Sequence, residues 1–134
     1  MGEEKLVIQE LSTSMIEAGE RLMEALDRQG EIVDAGLWFY YSEEGTWKLL
    51  VSMPARLAGG PKSAYRSIQR ALKKSDTDAL NVEAIQIIRS SARVLRLLRK
   101  SVVLEGMSGV RFRQNVIGGQ YVEDAYIYRL QSNA

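Results

Sequence analysis

A row of cationic side chains recurs at helical spacing in the second half of the 134-residue chain. Arg89, Arg93, Arg96 and Lys100 lie three or four positions apart, so one side of a helix presents them together. Guanidinium and ammonium groups in such a row neutralise phosphates, and Arg111 adds a further cation from a predicted strand. These five residues are the candidate site for an anion or a nucleic acid.

Charge is segregated along the chain. Residues 61–113 hold 12 Lys/Arg against 4 Asp/Glu, whereas residues 1–60 hold 5 against 11. The acidic part includes four carboxylates at helical spacing on the first predicted helix: Glu17, Glu20, Glu24 and Asp27. The two opposed rows indicate solvated faces or two helices lying side by side; the alternatives are a head-to-tail contact between molecules or an anionic partner for the basic row.

The chain contains neither histidine nor cysteine. The commonest general base, the commonest zinc ligand and disulfide chemistry are therefore excluded together. No Ser or Thr has an evident activating base, so we expect no catalytic residue, no cofactor and no metal ion. The run Gly59-Gly60-Pro61-Lys62 lies where a phosphate-binding loop would, but it lacks the glycine spacing of that motif, which favours plain turn chemistry.

Two acidic pairs in the sequence are possible sites. Asp76 and Asp78 lack the further ligands of a calcium loop and are expected to be turn residues. Glu123 and Asp124 are adjacent within a predicted strand, so their side chains point to opposite faces and cannot act on one substrate. We expect Asp124 to pair with Arg113. Glu123 is expected at a solvent-exposed edge of the sheet. The alternative is a buried carboxyl that keeps its proton.

Hydrophobic periodicity predicts one α+β domain over residues 1–134. The element order is α-β-β-α-β-α-β-β, a five-stranded mixed sheet with three helices packed on it. The first helix is expected to begin at a capping box of Ser14 and Glu17 and to end at Gly30. The second begins at Pro61.

The region of residues 82–101 allows two predictions. The short apolar run there suits a third strand, after which Ser90 or Ser91 caps the third helix. A single helix over the whole region is the alternative.

Two predicted hairpins supply the other four strands. In the first, Glu43-Glu44-Gly45 suits a three-residue loop with Ser42 opposite Thr46, which pairs Tyr41 with Trp47. In the second, Gly118-Gly119 is a strong two-residue turn signal. That turn pairs Arg113 with Asp124 and Arg111 with Tyr126. It also puts Val116, Phe112 and Val110 on one face with Tyr121, Ala125 and Ile127.

One face of the predicted sheet is unusually rich in aromatic groups. Its apolar members form the candidate interface: Trp38, Tyr40, Leu50, Tyr126 and Tyr128. If helices cover both faces of the sheet, these residues are a second core layer. If all helices lie on one face, the exposed aromatic surface favours a protein partner or a homo-oligomer. Stacking of single-stranded nucleic acid on this face is the third alternative.

The closing run NVIGGQYVEDAYIYRL at residues 115–130, with WKLLVSMP and GPKSAYRSIQRAL before it, resembles a family of small uncharacterised bacterial proteins. The resemblance spans most of the chain from Leu37 onward. It implies no activity, ligand or functional residue.

The sequence therefore predicts a non-enzymatic interaction module that self-associates or docks on a protein through the aromatic sheet face. A nucleic-acid-binding module is the alternative, and an enzyme without a recognisable motif is the third hypothesis. The opening residues MGEEKLVIQEL are too polar for a signal peptide or a membrane span, which favours a cytoplasmic location.

Overall fold

The computed structural model describes residues 10–75, 80–102, 104 and 106–132. The helices and strands follow in the order α1 (Thr13–Arg28), β1 (Ala35–Tyr41), β2 (Thr46–Ser52), α2 (Pro54–Leu57), α3 (Pro61–Ser75), β3 (Ile85–Ile87), α4 (Arg93–Leu98), β4 (Val110–Ile117) and β5 (Gln120–Leu130). The predicted α+β order is confirmed, with the one-turn helix α2 added after β2. Residues 82–101 contain a strand and then a helix, so the single-helix alternative is wrong.

The five strands form one mixed sheet in the order β3-β2-β1-β5-β4. β3 runs parallel to β2, and the other neighbouring pairs are antiparallel. A parallel pair requires a crossover connection, which α2 and α3 supply between β2 and β3. The edges of the sheet are therefore β3 on one side and β4 on the other.

α1 begins with a different cap from the one predicted. Ser12 Oγ, not Ser14, accepts a hydrogen bond from the backbone N–H of Met15 at 3.1 Å. The helix buries one side, which contains Ala18, Gly19, Leu22, Met23, Ala25 and Leu26. It stops before Gly30, as predicted, and the φ of 85° at Gly30 is a left-handed conformation that suits glycine.

The first hairpin is shifted by one residue from the predicted register. Tyr41 pairs with Thr46 and Tyr40 with Trp47, so the loop has four residues. Both Glu44 and Gly45 donate their backbone N–H groups to the Tyr41 carbonyl, which closes this longer loop. Because side chains alternate along a strand, a shift of one residue moves every β2 side chain to the opposite face relative to β1.

Helices cover both faces of the sheet. The α1–α3 face, packed against α1 and α3, contains Trp38, Tyr40, Trp47, Leu49, Val51 and Tyr128. The α4 face, packed against Leu95 and Leu98 of α4, contains Leu37, Phe39, Leu50, Ala125 and Ile127. The chain thus has two apolar layers separated by the sheet, the arrangement expected when connections cross both faces.

The second hairpin has the predicted pairing. Arg113 is opposite Asp124, and Arg111 is opposite Tyr126. The prediction that Val116 shares a face with Phe112 and Val110 is wrong. Gln114 has a left-handed φ of 47°, which interrupts the alternation of side chains along β4. Phe112 packs with the α4 face, whereas Val116 is 63% exposed and its partner Tyr121 is 54% exposed.

Candidate functional site

The aromatic face predicted as an interface is an interior layer. Trp38 is 1% exposed and Tyr128 is 2% exposed, and Tyr40 is also buried beneath α1 and α3. Tyr126 is partly buried against the same cluster. Leu50 is buried on the opposite, α4 face, because the register shift turned it over. The alternative of a second core layer is therefore correct for these residues, and the expectation of an open surface is wrong.

Polar atoms within this layer are bonded to α1. Trp38 Nε1 donates to Tyr128 Oη at 3.1 Å and to the Met15 carbonyl at 3.2 Å. Tyr128 Oη donates to the Ile16 carbonyl at 2.5 Å. Burial raises the pKa of Tyr128 far above its usual range, so the hydroxyl stays a donor at any physiological pH. These bonds hold α1 on the sheet.

The five predicted anion-binding residues do not form one site. Arg111 lies on the α1–α3 face, where Nε and Nη2 each donate to Asp124 at 2.7 Å and its guanidinium is 5.9 Å from the Trp47 ring. The hydrogen bond to Asp124 raises the pKa of Arg111. Arg113, the partner predicted for Asp124, is a second and weaker one at 3.6 Å. Arg111 is thus occupied within the fold.

The α4 cations lie on the other side of the molecule. Arg93, Arg96 and Lys100 are exposed on or just after α4. α1 packs on the opposite face, so the expectation that the acidic and basic rows lie side by side is wrong. One member of the acidic row is also occupied, because Asp27 accepts two hydrogen bonds from Arg129 at 3.0 and 2.7 Å.

A cavity of about 460 Å³ lies beside the start of α4. Arg93 lines it together with Glu43, Glu44, Glu123 and Tyr121. Glu123 is half-buried there, at the tip of the second hairpin. Tyr41 also lines the cavity, and burial together with the charge of Glu44 raises its pKa, so its hydroxyl stays protonated at neutral pH. The carboxylates in this cavity would compete with a phosphate group for Arg93. If the protein is an enzyme, this cavity is where acidic, basic and phenolic groups lie together.

A larger cavity of about 490 Å³ lies at the β3 edge of the sheet. α2 contributes Pro54 and Leu57, Ala58 follows it, and α3 contributes Pro61 and Tyr65. Ile87, Arg89 and Ser90 close the third side. The Tyr65 hydroxyl accepts a hydrogen bond from the backbone N–H of Ile87 at 3.3 Å, which fixes the tyrosine against the edge strand.

α3 carries a row of cations that the sequence analysis did not single out. Lys62, Arg66, Arg70 and Lys74 follow one another at four-residue intervals, and Lys73 lies beside them. All five are exposed, and α3 contains no carboxylate. We call these residues and Arg89 the α3 basic surface. The signal was readable in the sequence, because the apolar residues Ala64 and Ile68 mark the buried side of α3 and leave the cations on its other sides.

A buried polar network fixes the segment that carries Arg89. Ser90 Oγ donates to Asp34 Oδ2 at 2.5 Å, so Ser90 does not cap α4 as predicted; the N-cap is Ala92. Arg99 donates to the Ser90 carbonyl at 2.6 Å and to the Gln131 carbonyl at 2.7 Å, and reaches Asp34 at 3.3 Å. The network joins the start of β1, the segment before α4 and the end of β5.

The remaining predicted motifs contribute no site. Gly60 has a φ of 105°, and its N–H donates to the Leu57 carbonyl, which is turn chemistry. Asp76 and Asp78 lie outside the described residues. Within the described ranges, no three acidic side chains are grouped as a metal ion would require.

The chain matches no known family model, no curated protein and no solved structure. The resemblance of residues 115–130 to small bacterial proteins therefore stays a prediction. In the part of the chain that the structure describes, no helix has both the length and the apolar character needed to cross a bilayer. The cytoplasmic location stays a prediction as well.

Proposed function

We propose that this chain is a non-enzymatic module that binds nucleic acid through the α3 basic surface. The observation that supports the proposal is the group of exposed cations on α3, which no carboxylate of that helix neutralises. Arg56, close by in sequence, is excluded from the surface because Glu31 pairs with it at 2.8 Å.

The arrangement of charge on α3 is unfavourable for the fold alone. Like charges four residues apart on a helix destabilise it by about 0.2–0.5 kcal/mol per pair, and the series from Lys62 to Lys74 contains such pairs in succession. Lys62 also lies in the first turn, where the helix dipole disfavours a cation. A bound polyanion would offset the repulsion between the cations of α3, and its negative charge would interact favourably with the N-terminus of the helix. The cations of α3 would then be stabilised by the ligand and not by the fold itself.

The geometry favours a linear polymer of negative charges. Four residues of α-helix advance about 6 Å and turn about 40° beyond a full turn, so α3 presents evenly spaced cations in a row that winds gradually around the helix. Nucleic-acid phosphates are the anions that repeat along a line in this way, and their neutralisation releases counterions. The affinity is therefore expected to fall steeply as salt concentration rises.

The test is the salt dependence of binding to a fluorescent single-stranded oligonucleotide, followed by anisotropy. The double variant Arg66→Gln/Lys73→Gln should bind more weakly and flatten the plot of log affinity against log salt by about 1.4, since each lost phosphate contact contributes about 0.7. The matched control Arg21→Gln/Arg28→Gln removes two exposed cations from α1 and should behave as the unchanged protein.

Three outcomes contradict the proposal. The first is absence of binding at about 50 mM salt, where phosphate contacts are strong. The second is an equal loss of affinity in the two double variants. The third is tighter binding of poly-glutamate than of any oligonucleotide, which assigns the surface to an acidic protein partner.

Self-association, the interaction expected from the sequence, has a second candidate surface on the edge strand β4. Val116 and Tyr121 are cross-strand partners, and both are largely exposed at the tip of the second hairpin. Val116 lies on the edge strand β4 and Tyr121 on the adjoining strand β5, and exposed apolar side chains at a sheet edge are a ready contact for a second chain. We propose this pair, in place of the buried aromatic face, as the homodimer contact.

A further inference from the structure

The cavity at the β3 edge adjoins the α3 basic surface. Pro61 and Tyr65 line the cavity, and the residues that follow them in sequence, Lys62 and Arg66, belong to the surface. Arg89 belongs to both. An anionic polymer that lies along α3 therefore passes the mouth of this cavity.

We infer that this cavity receives one unstacked nucleobase, and that the ligand of the module is consequently single-stranded; the inference rests on the proposed function. The walls suit a flat apolar ring, because Pro54, Leu57 and Ile87 supply aliphatic surface. The Tyr65 ring supplies a π-face, and bases stack on aromatic rings regardless of sequence. The volume of about 490 Å³ lies in the range of small-ligand sites.

The polar groups of the cavity are held in place before any ligand arrives. The bond from Ile87 N–H to the Tyr65 hydroxyl restrains the aromatic ring against β3. On the other side, Arg89 precedes Ser90, whose hydroxyl and carbonyl are bonded to Asp34 and Arg99. A preorganised cavity loses little conformational entropy when it binds, so the base adds affinity to the phosphate contacts.

Single strands satisfy this geometry more readily than duplexes. The bases of a duplex are stacked inside it, and extruding one costs a few kcal/mol by the general behaviour of base-flipping proteins, whereas a single strand presents its bases freely. The phosphates on either side of the inserted base then meet Lys62 and Arg66, which lie beside the mouth.

The experiment compares an oligonucleotide with a strand of the same length made of abasic sugar-phosphate units, which has the same charge and no bases. The intact protein should bind the normal strand about tenfold more tightly, the typical contribution of one stacked base. Tyr65→Leu keeps an apolar side chain but removes the ring, so it should bind the normal strand as weakly as the abasic one. Tyr65→Phe loses the same hydroxyl bond to Ile87 but keeps the ring, so it should retain a clear preference for the normal strand, reduced only by the lost restraint on the ring.

Comparing the normal strand with the abasic strand distinguishes a failure of the base site from a failure of the phosphate-binding surface. Equal, salt-dependent binding of both strands by the intact protein overturns the base site and leaves the phosphate-binding surface standing. Binding of neither strand overturns both proposals. Unchanged abasic binding by Tyr65→Leu shows that this variant is folded, and a tenfold preference that survives in it contradicts the assignment of Tyr65. Tighter binding of a duplex than of the single strand also contradicts the inference.

Discussion

Asp34 and Ser90 are 56 positions apart in sequence, yet Ser90 Oγ donates to Asp34 Oδ2 at 2.5 Å. The bond fastens the segment between β3 and α4 to the residue that precedes β1. Because Arg89 and Ser90 both line the cavity at the β3 edge, the shape of that cavity depends on this attachment. Arg99 completes the attachment from the end of α4.

Replacing Arg99 with Met should destabilise the protein by about 3 kcal/mol, because it leaves the mostly buried Asp34 carboxylate without its cationic partner. Urea unfolding followed by circular dichroism measures the change. Arg96→Met on the exposed side of the same helix is the control and should shift the midpoint little. Similar midpoints for the two variants would show that the network does not stabilise the fold.

Tyr128→Phe should lower the free energy of unfolding by about 1–2 kcal/mol. The change removes the hydroxyl that donates to the Ile16 carbonyl and accepts from Trp38, so one buried carbonyl loses this donor. Tyr126→Phe removes a hydroxyl from the neighbouring, partly buried ring and should have a smaller effect. A larger loss in Tyr126→Phe than in Tyr128→Phe contradicts this account.

Gly19→Ala should destabilise the protein although alanine favours helix formation. A Cβ at this position would overlap the Tyr128 hydroxyl and approach Trp38 Nε1 at 2.9 Å. Overpacking costs about 1–3 kcal/mol, and the severe overlap here places Gly19→Ala in the upper part of that range, above the gain of about 1 kcal/mol in helix propensity. Thermal unfolding measures the effect, and the melting temperature of Gly19→Ala should be lower than that of the unchanged protein. A raised melting temperature would mean that α1 can move away from the sheet and would contradict this prediction.

The stabilising effect of Glu31 should depend on pH. Burial alone would raise the pKa of Glu31, but hydrogen bonds from Arg56 and Ser67 outweigh it and lower the pKa below its usual value. A carboxyl with a lowered folded-state pKa stabilises the protein above its unfolded pKa of about 4.3, and the effect disappears as pH falls through the folded-state value.

Glu31→Gln should therefore unfold at lower urea concentration than the unchanged protein at pH 7. The difference should shrink as the pH falls below the unfolded pKa of about 4.3, and it should disappear only below the lowered folded-state pKa of Glu31, where both folded forms are uncharged at this position. Glu17→Gln, an exposed change on α1, serves as the control. A difference that stays constant from neutral to acid pH contradicts the assignment.

If the β4 edge mediates self-association, Val116→Lys should shift sedimentation equilibrium from dimer to monomer. The change places a charge in the centre of an apolar contact, where desolvation opposes burial. Ile32→Lys is the matched control, since Ile32 is equally exposed at 65% and lies elsewhere. A chain that is monomeric at millimolar concentration rules out the homodimer.

The parts of the fold that depend on local chemistry were predictable. The Gly118-Gly119 turn determined the register of β4 and β5, because a two-residue loop allows one pairing. The first hairpin was less determined, because a loop ending in Gly45 can contain three residues or four. This difference of one residue in loop length places Leu50 on the opposite face of the sheet from the one predicted. The predicted aromatic face therefore combined residues that lie on two different faces of the real sheet.

The site depended on information that periodicity does not contain. Nothing in the pattern of Trp38 and Tyr128 distinguishes a face open to solvent from one covered by a helix. The bonds among Asp34, Ser90 and Arg99 join residues distant in sequence, so no local motif indicates them. The spacing of Lys62, Arg66 and Arg70, in contrast, is visible in the sequence, although the row from Arg89 to Lys100 shows the same kind of spacing.

The neighbouring positions of α1 and α3 have a consequence for how a ligand arrives. The two helices pack together on one face of the sheet, and α1 exposes Glu17, Glu20 and Glu24 while α3 exposes only cations among its charged groups. The molecule therefore has an electric dipole directed across that face despite a net charge of +1. For the nucleic-acid ligand proposed above, this dipole would orient the protein before contact, with α3 leading and α1 facing away.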